Sequence, residues 1–325
     1  MYVHLPLALP DTNLFTNEVV HKLCVQSAYS GRVAMFCILS GYLFGRNAPW
    51  GKTLDRFFWL LVPYVLWNLI ILAAHWLQNP DMNINMWAVF GIGAVFKDTW
   101  VFTSAGACPP IFDHPAWYMR DMLPLTLITP ILVKYKKYLP FGLLLFALFR
   151  TDHLYMNPKV MMSPSTCFFY VVGICLTRFK VEDGYRIFND KFTPVVLLAL
   201  VAAIFASVRH TVFHGPAVRI SLLGMLMGAM MIAHGGVMIE RHLPKISKKM
   251  APLGPASFLV FMIHWPIFYG VAHLFPAIKS TLWILLLPLP TYAIVVMVFL
   301  TMKHFTPWLM PYLGHMKIRK KTQHA

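Results

Sequence analysis

The sequence predicts an all-α fold, a polytopic bundle of transmembrane helices making a single domain over residues 1–325. Three observations lead there. The chain is 58% hydrophobic and only 12% charged, whereas a typical soluble domain is about 25% charged. Apolar runs long enough to cross a bilayer core of about 30 Å as helices recur along nearly the whole length. Basic residues collect in short clusters between those runs.

About nine complete spans follow, with a shortened first helix before them. They read as 28–45, 57–78, 118–133, 138–150, 161–177, 193–213, 217–239, 255–276 and 280–302. The first ends at Arg46, and the second follows the basic stretch Arg46, Lys52 and Arg56. The third starts at the aromatic pair Trp117 and Tyr118, which suits an outer interfacial belt, and ends at Lys134. The fourth, after Lys136 and Lys137, is short for a full crossing. The fifth stops before Arg178 and Lys180, and Arg186 and Lys191 precede the sixth. The seventh carries "LLGMLMGAMMI", which reads as small-residue helix packing, and ends before Arg241, Lys245, Lys248 and Lys249. The eighth holds "SFLVFMIHWPIFYG", and the ninth ends before Lys303 and the tail "HMKIRKK". The opening "MYVHLPLALP" is apolar but too short to span, and it lacks the basic start and small-residue cleavage site of a signal peptide. Residues 1–8 therefore read as the outer end of a first helix whose inner half is missing.

The net charge of +16 does not signal nucleic acid, because the basic clusters fall in alternate loops. That is the positive-inside pattern of cytoplasmic loops, not a groove tracking phosphates. It places the basic loops and the C-terminus inside and the long loop 79–117 outside. The apolar stretch Met86–Phe96 within that loop reads as lying along the interface. Of the five cysteines, 37, 167 and 175 lie in apolar runs as small buried hydrophobes, while Cys24 and Cys108 fall in external loops within reach of a disulfide. No cluster has metal-ligand spacing, so no metal is expected, and no GxSxG, P-loop or GxGxxG points to a soluble hydrolase, kinase or dehydrogenase.

Ionisable groups inside a membrane are the functional candidates, since burying them costs several kcal/mol unless they are paired or face water. "SGRVAMFCILSGYLFG" places Arg32 one turn into its span. "RFFWLLVPYVLWNLI" puts Arg56 at the inner edge and Tyr64, Trp67 and Asn68 within. "AWYMRDML" supplies Trp117, Arg120 and Asp121, the late span supplies His264, and the N-terminal stub supplies His4. Each has a bland alternative. Arg32 can snorkel to headgroups, Arg56 can anchor the inner edge, Tyr64, Trp67 and Asn68 can pack helices, and His264 can be a hydrogen-bonded core histidine.

Taken in order, "RVAMFCILSGYLF", "LLVPYVLWN", "WYMRDML" and "SFLVFMIHWPIF" resemble acyltransferase family 3, a family of integral-membrane O-acyltransferases. The resemblance covers roughly residues 1–275. It implies an acetyl or other short acyl group moving from a cytoplasmic acyl-CoA to a hydroxyl of a sugar or cell-surface glycan, in a bacterial inner membrane. The family's first helix carries a histidine, matched here by His4, and an arginine upstream of it, for which this sequence has no counterpart. Acyl transfer itself needs a base or acyl carrier and a donor for the developing oxyanion. Histidine suits the first role and arginine the second. The expected catalytic set is His4, Arg32, Arg120 and Asp121, with Arg56, Tyr64, Trp67, Asn68, Trp117 and His264 contacting substrate. Arg120 and Asp121 point about 100° apart on a helix, so the expectation divides them. One faces a cavity near Arg32 and His4, and the other ties its helix to a neighbour. A small-solute permease and an inactive, shortened family member are the alternatives.

Overall fold

A helix pairs its backbone N–H and C=O groups within its own segment, and the apolar runs fold as helices. A computed structural model describes residues 32–46, 50–78, 80, 89–90, 116–149, 164–198, 201, 217–254, 256–274, 286–310 and 312. All regular elements among the described residues are helical. The α-helices are α1 (Arg32–Arg46), α2 (Trp50–Gln78), α3 (Trp117–Lys134), α4 (Leu139–Phe149), α5 (Pro164–Leu176), α6 (Val181–Ile187), α7 (Ala217–His242), α8 (Pro244–Met250), α9 (Ala256–Leu274) and α10 (Pro288–Phe305). Two stretches, Trp50–Ala74 and Pro288–Phe305, are long and apolar enough to cross a membrane, and Val33–Arg46 and Ser165–Leu176 are shorter apolar helices. Residue 4 and the cysteines at 24 and 108 lie outside the described residues.

Most helix limits lie within a few residues of the expected spans, but α10 begins at Pro288 rather than 280, and of the expected span 193–213 only 193–198 and 201 are described; two further differences stand out. α2 begins at Trp50 rather than 57, because no proline or glycine pair interrupts "TLDRFFW" once Pro49 is passed. At 1.5 Å per residue its 29 residues run about 44 Å, more than a bilayer core needs. The second difference is the pair of short connector helices, α6 and α8, which sequence reading left as basic loops.

The closest packing joins α1 to α5. Small residues recur on α1 at Ala34, Cys37, Gly41 and Gly45, a spacing that clears one face for a neighbouring backbone. A Cβ on Gly41 would fall on the carbonyl oxygen of Tyr170, and one on Gly173 would fall on that of Ile38. The two backbones therefore touch at a glycine from each side. Tyr42 Oη adds a hydrogen bond to the Phe179 carbonyl at 3.1 Å, where both helices end.

Two apolar clusters flank α3. One gathers Tyr64 and Trp67 of α2, Met119 and Leu123 of α3, Leu259 and Met262 of α9, and Val295 and Phe299 of α10. The other gathers Cys37 and Ile38 of α1, Met122 and Leu125 of α3, Phe169, Tyr170 and Ile174 of α5, and Ala229 of α7. Residues 119–123 are buried without a break, so this stretch of α3 is enclosed on all sides, whereas Ile128 and Ile131 further along are exposed. Cys37 is buried, whereas Cys167 and Cys175 are only half-buried, and all three thiols are free.

Helix ends bearing basic residues meet at one end of the bundle. Arg56 Nη1 donates to the Phe44 carbonyl at 2.8 Å and stacks over the Phe44 ring. Arg178 Nη2 donates to the Lys136 carbonyl at 2.9 Å. Asp190 accepts from His242 Nε2 at 2.9 Å and Arg241 Nη1 at 3.0 Å, and Tyr185 Oη donates to Glu240. Nearby, the Phe192 ring meets the buried His234 of α7 and Thr193 Oγ1 is hydrogen-bonded to His234 Nε2 at 3.2 Å.

Two expectations follow. Gly41→Leu or Gly173→Val should lower the thermal midpoint in detergent by the equivalent of about 3 kcal/mol or more, since backbone must shift to admit the side chain. Gly235→Ala and Gly236→Ala, whose Cβ atoms meet nothing, should hold or gain up to about 1 kcal/mol. The second concerns pH. The hydrogen bond from His242, then that from Arg241, holds the Asp190 carboxyl below its ordinary value. A depressed carboxyl stabilises the fold above its unfolded value and loses that contribution as pH falls through the folded one. Asp190→Asn should therefore melt below the wild type at neutral pH, and the two melting curves should converge as pH drops below about 4.

Candidate functional site

The polar groups of α3 are not scattered. Tyr118, Asp121 and Thr129 share one face at helical spacing, with Thr126 beside them. That face looks onto α1 and α5. At its N-terminal end Tyr118 Oη and Ser40 Oγ of α1 are hydrogen-bonded at 2.8 Å. The Tyr118 ring meets Phe261 of α9 edge-on at 5.7 Å and Phe36 at 6.2 Å. Tyr118 is thus wedged between α1 and α9. Its hydroxyl has found a protein partner in Ser40, so it has no need of headgroup water. Trp117 stacks edge-on to it at 6.3 Å and is half-buried.

One turn further, Arg120 Nε and Nη2 both donate to Asp121 Oδ1, at 3.2 and 3.0 Å. Arg120 is 4% exposed and Asp121 0%. The expectation that these neighbours would serve separate directions gives way here to a direct ion pair. Adjacent residues diverge at Cβ, but the arginine stem is long enough to swing its guanidinium back. In a low-dielectric interior the alternative is two separately buried charges. Cys37 of α1 and Cys167 of α5 both feel the Asp121 charge, which places the carboxylate on the α1–α5 side.

The line continues toward the basic end. Thr129 Oγ1 and Tyr170 Oη are hydrogen-bonded at 2.5 Å, and the Tyr170 hydroxyl lies within the field of the Arg56 guanidinium. A polar seam therefore runs the length of α3, from Ser40 and Tyr118, past the ion pair, to Tyr170 and Arg56. Ser40, Thr126, Thr129 and Tyr170 were missed in the sequence. The signal was present as polar residues at helical spacing inside an apolar helix.

The remaining candidates gather on the other flank of α3. Tyr64 Oη donates to the Phe90 carbonyl, and Asn68 Nδ2 donates to the Tyr64 carbonyl at 2.8 Å. Trp67 Nε1 and Asn68 Oδ1 are buried with no hydrogen-bond partner among the described residues, as is Thr166 Oγ1 of α5. His264 is buried in α9, where Nδ1 donates to the Val260 carbonyl at 2.9 Å and the ring meets Phe268 edge-on. Tyr64 and Trp67 share one apolar cluster with Met119, which precedes Arg120, and with Met262, two residues before His264. The structure thus places Tyr64, Trp67 and Asn68 of α2 and His264 of α9 on one flank of α3, the Asp121 carboxylate on its α1–α5 side, and Arg56 at the basic end. Arg32 opens α1. His4 lies outside the described residues. Among those residues no group of three or more His, Cys, Asp or Glu could hold a metal ion.

The family model described as an acyltransferase domain, acyltransferase family 3, matches residues 1–302. The chain belongs to that family. No curated protein and no solved structure matches it. Membership supports acyl transfer as the general activity, in a family whose members are typically membrane-bound. Within such a chain the ion pair has an energetic signature. Arg120→Ala or Asp121→Ala should each cost about 3–5 kcal/mol by stranding the other charge, and the joint change Arg120→Met with Asp121→Leu should cost less than either. Chemical unfolding of the three variants in detergent tests this, and additive losses would show that the two residues act apart.

Proposed function

We propose that this acyltransferase is a membrane O-acyltransferase. It moves an acetyl or other short acyl group from a cytoplasmic acyl-CoA to a hydroxyl of a sugar or cell-surface glycan. The observation that carries the reading is the sealed Arg120–Asp121 pair on a polar seam that reaches Arg56 at the basic end. A charge pair so costly to bury marks a functional centre in a membrane helix. In this reading about nine spans enclose the centre, with the basic loops and C-terminus on the cytoplasmic side of a bacterial inner membrane.

The chemistry divides among the residues as follows. The acceptor hydroxyl gives its proton to His4 as its oxygen bonds to the thioester carbonyl carbon, or His4 first takes the acyl group itself. The carbon–sulfur bond then breaks and the proton passes to the departing CoA thiolate. Arg32 and Arg120 meet the negative charge that builds on the carbonyl oxygen, and Asp121 holds Arg120 in place. Arg56 meets the donor's phosphates, and its fixed fork suits them. Trp67 Nε1 and Asn68 Oδ1, one donor and one acceptor left over in the interior, suit an acceptor rich in hydroxyls, with Tyr64, Trp117 and His264 around them. Leaving such atoms unmet costs about 1–3 kcal/mol each, which a bound hydroxyl would recover.

The test is the purified full chain in liposomes with radiolabelled acetyl-CoA and a panel of glycans. Label should pass to an acceptor, and Asp121→Asn and His4→Ala should each cut transfer by about 100-fold or more. Full turnover in either variant removes that residue from the chemistry. Acceptor flux without acetylation would instead favour the permease reading.

A further inference from the structure

α7 ends at His242, and Leu243 (φ −128°, ψ 52°) breaks the helix so that α8 departs on a new axis with Pro244 at its first position. From there to Leu253 the chain repeats an apolar residue at i, i+3, i+7 and i+10: Leu243, Ile246, Met250 and Leu253. That spacing is one helical face. Leu243, Ile246 and Met250 are each about half exposed, so this face is not spent on the bundle. Lys249 lies on the flank of this face, Lys245 further round and Lys248 opposite it, all exposed. No acidic residue lies between Arg241 and Gly254 to answer them. The nearest carboxylates are engaged elsewhere, Glu240 by Tyr185 and Asp190 by Arg241 and His242. Those same bonds pin the chain around α6 to the root of α8, at the end of the bundle where the other basic helix ends collect.

We propose that 243–253 is an interfacial segment that seats its apolar face among acyl chains and binds anionic phospholipid headgroups through Lys245, Lys248 and Lys249. An uncovered apolar face backed by lysines is the form a helix takes when it lies in the plane of a membrane surface. Lysines at such a surface favour anionic over zwitterionic lipid. The proposal rests on the chain being membrane-embedded and is independent of which acyl group it moves.

The experiment reconstitutes the full chain in nanodiscs containing trace photoactivatable phosphatidylglycerol or phosphatidylcholine and maps adducts by peptide mass spectrometry. Phosphatidylglycerol adducts on 243–253 should exceed phosphatidylcholine adducts several-fold. The joint change of Lys245, Lys248 and Lys249 to Gln should bring the ratio near one, and their joint change to Arg should restore it. Ile246→Ser with Met250→Ser should deplete both adducts on this peptide. Equal labelling in the wild type, or enrichment that survives the Gln changes, overturns the proposal. So does displacement of the adducts by coenzyme A or inorganic phosphate, which would mark a soluble phosphate site. Adducts on Trp50–Gln78 and Pro288–Phe305 but none on 243–253 defeat this surface alone. Adducts on none of the three defeat the membrane reading beneath it, and acetyl transfer measured in parallel keeps the fate of the proposed reaction separate.

Discussion

Arg120 and Asp121 share a hydrogen-bonded ion pair in the interior of α3, and a pair so placed dictates what can surround it. Removing two charges from water costs several kcal/mol each unless they meet at close range with their remaining hydrogen-bonding capacity met. The surroundings must therefore exclude lipid and water on every side, while offering dipoles nearby. α3 meets both demands. Residues 119–123 are enclosed all round, by apolar clusters from α2, α9 and α10 on one side and from α1, α5 and α7 on the other. Tyr118 and Leu60 pack against both clusters, so the two halves of the bundle are joined at the level of the pair.

Enclosure in a membrane cannot rely on the hydrophobic effect, since lipid tails are as apolar as leucine. What remains is close packing and hydrogen bonding. That explains why the tightest contact is made by glycines. With Gly41 against Tyr170 and Gly173 against Ile38, the backbones of α1 and α5 approach as near as sterics allow and wall off the Asp121 side of α3. The tyrosine whose carbonyl meets Gly41 also bonds Thr129 through its hydroxyl. Residue 170 thus contributes to the wall through its backbone and to the polar seam through its side chain.

Much of this was legible in the sequence. Hydropathy and the basic clusters placed α3 at 118–133 against an observed Trp117–Lys134, and α9 at 255–276 against Ala256–Leu274. Element position depends on local composition, which the sequence states directly. The pairing of Arg120 with Asp121 was not legible, because Cβ directions on a helix say nothing of how far a long side chain bends back. The Ser40 partner of Tyr118 was hidden for a related reason. An aromatic residue at the head of an apolar run looks the same whether its hydroxyl meets headgroup water or Ser40. α6 and α8 were hidden by their charge, since a run of lysines reads as a loop until the apolar residues between them are seen to share a face. The acyltransferase resemblance rested on four motifs in order, and motif order survives even where the geometry of each residue does not show.

The two ends of the polar seam differ in kind, and the difference bears on direction. At the Arg56 end cations predominate: a guanidinium stacked on Phe44, the flanking Lys52 and Arg46, and the Tyr170 hydroxyl, against one exposed carboxylate at Asp55. At the Tyr118 end they are neutral hydroxyls and aromatic rings, with Ser40, Tyr118 and Trp117 adjoining. A polyanionic donor would be attracted to the first end more than to the second. A neutral, hydroxyl-bearing acceptor gains little from the first and finds stacking and hydrogen-bonding surfaces at the second. Between them Arg120 is neutralised by Asp121, so the seam's midpoint offers an anion less attraction than Arg56 does. In the proposed reaction, that order of charges would favour a phosphate-bearing donor at the basic end with only its reactive tip inward, so that the acyl group and not the donor crosses the bundle.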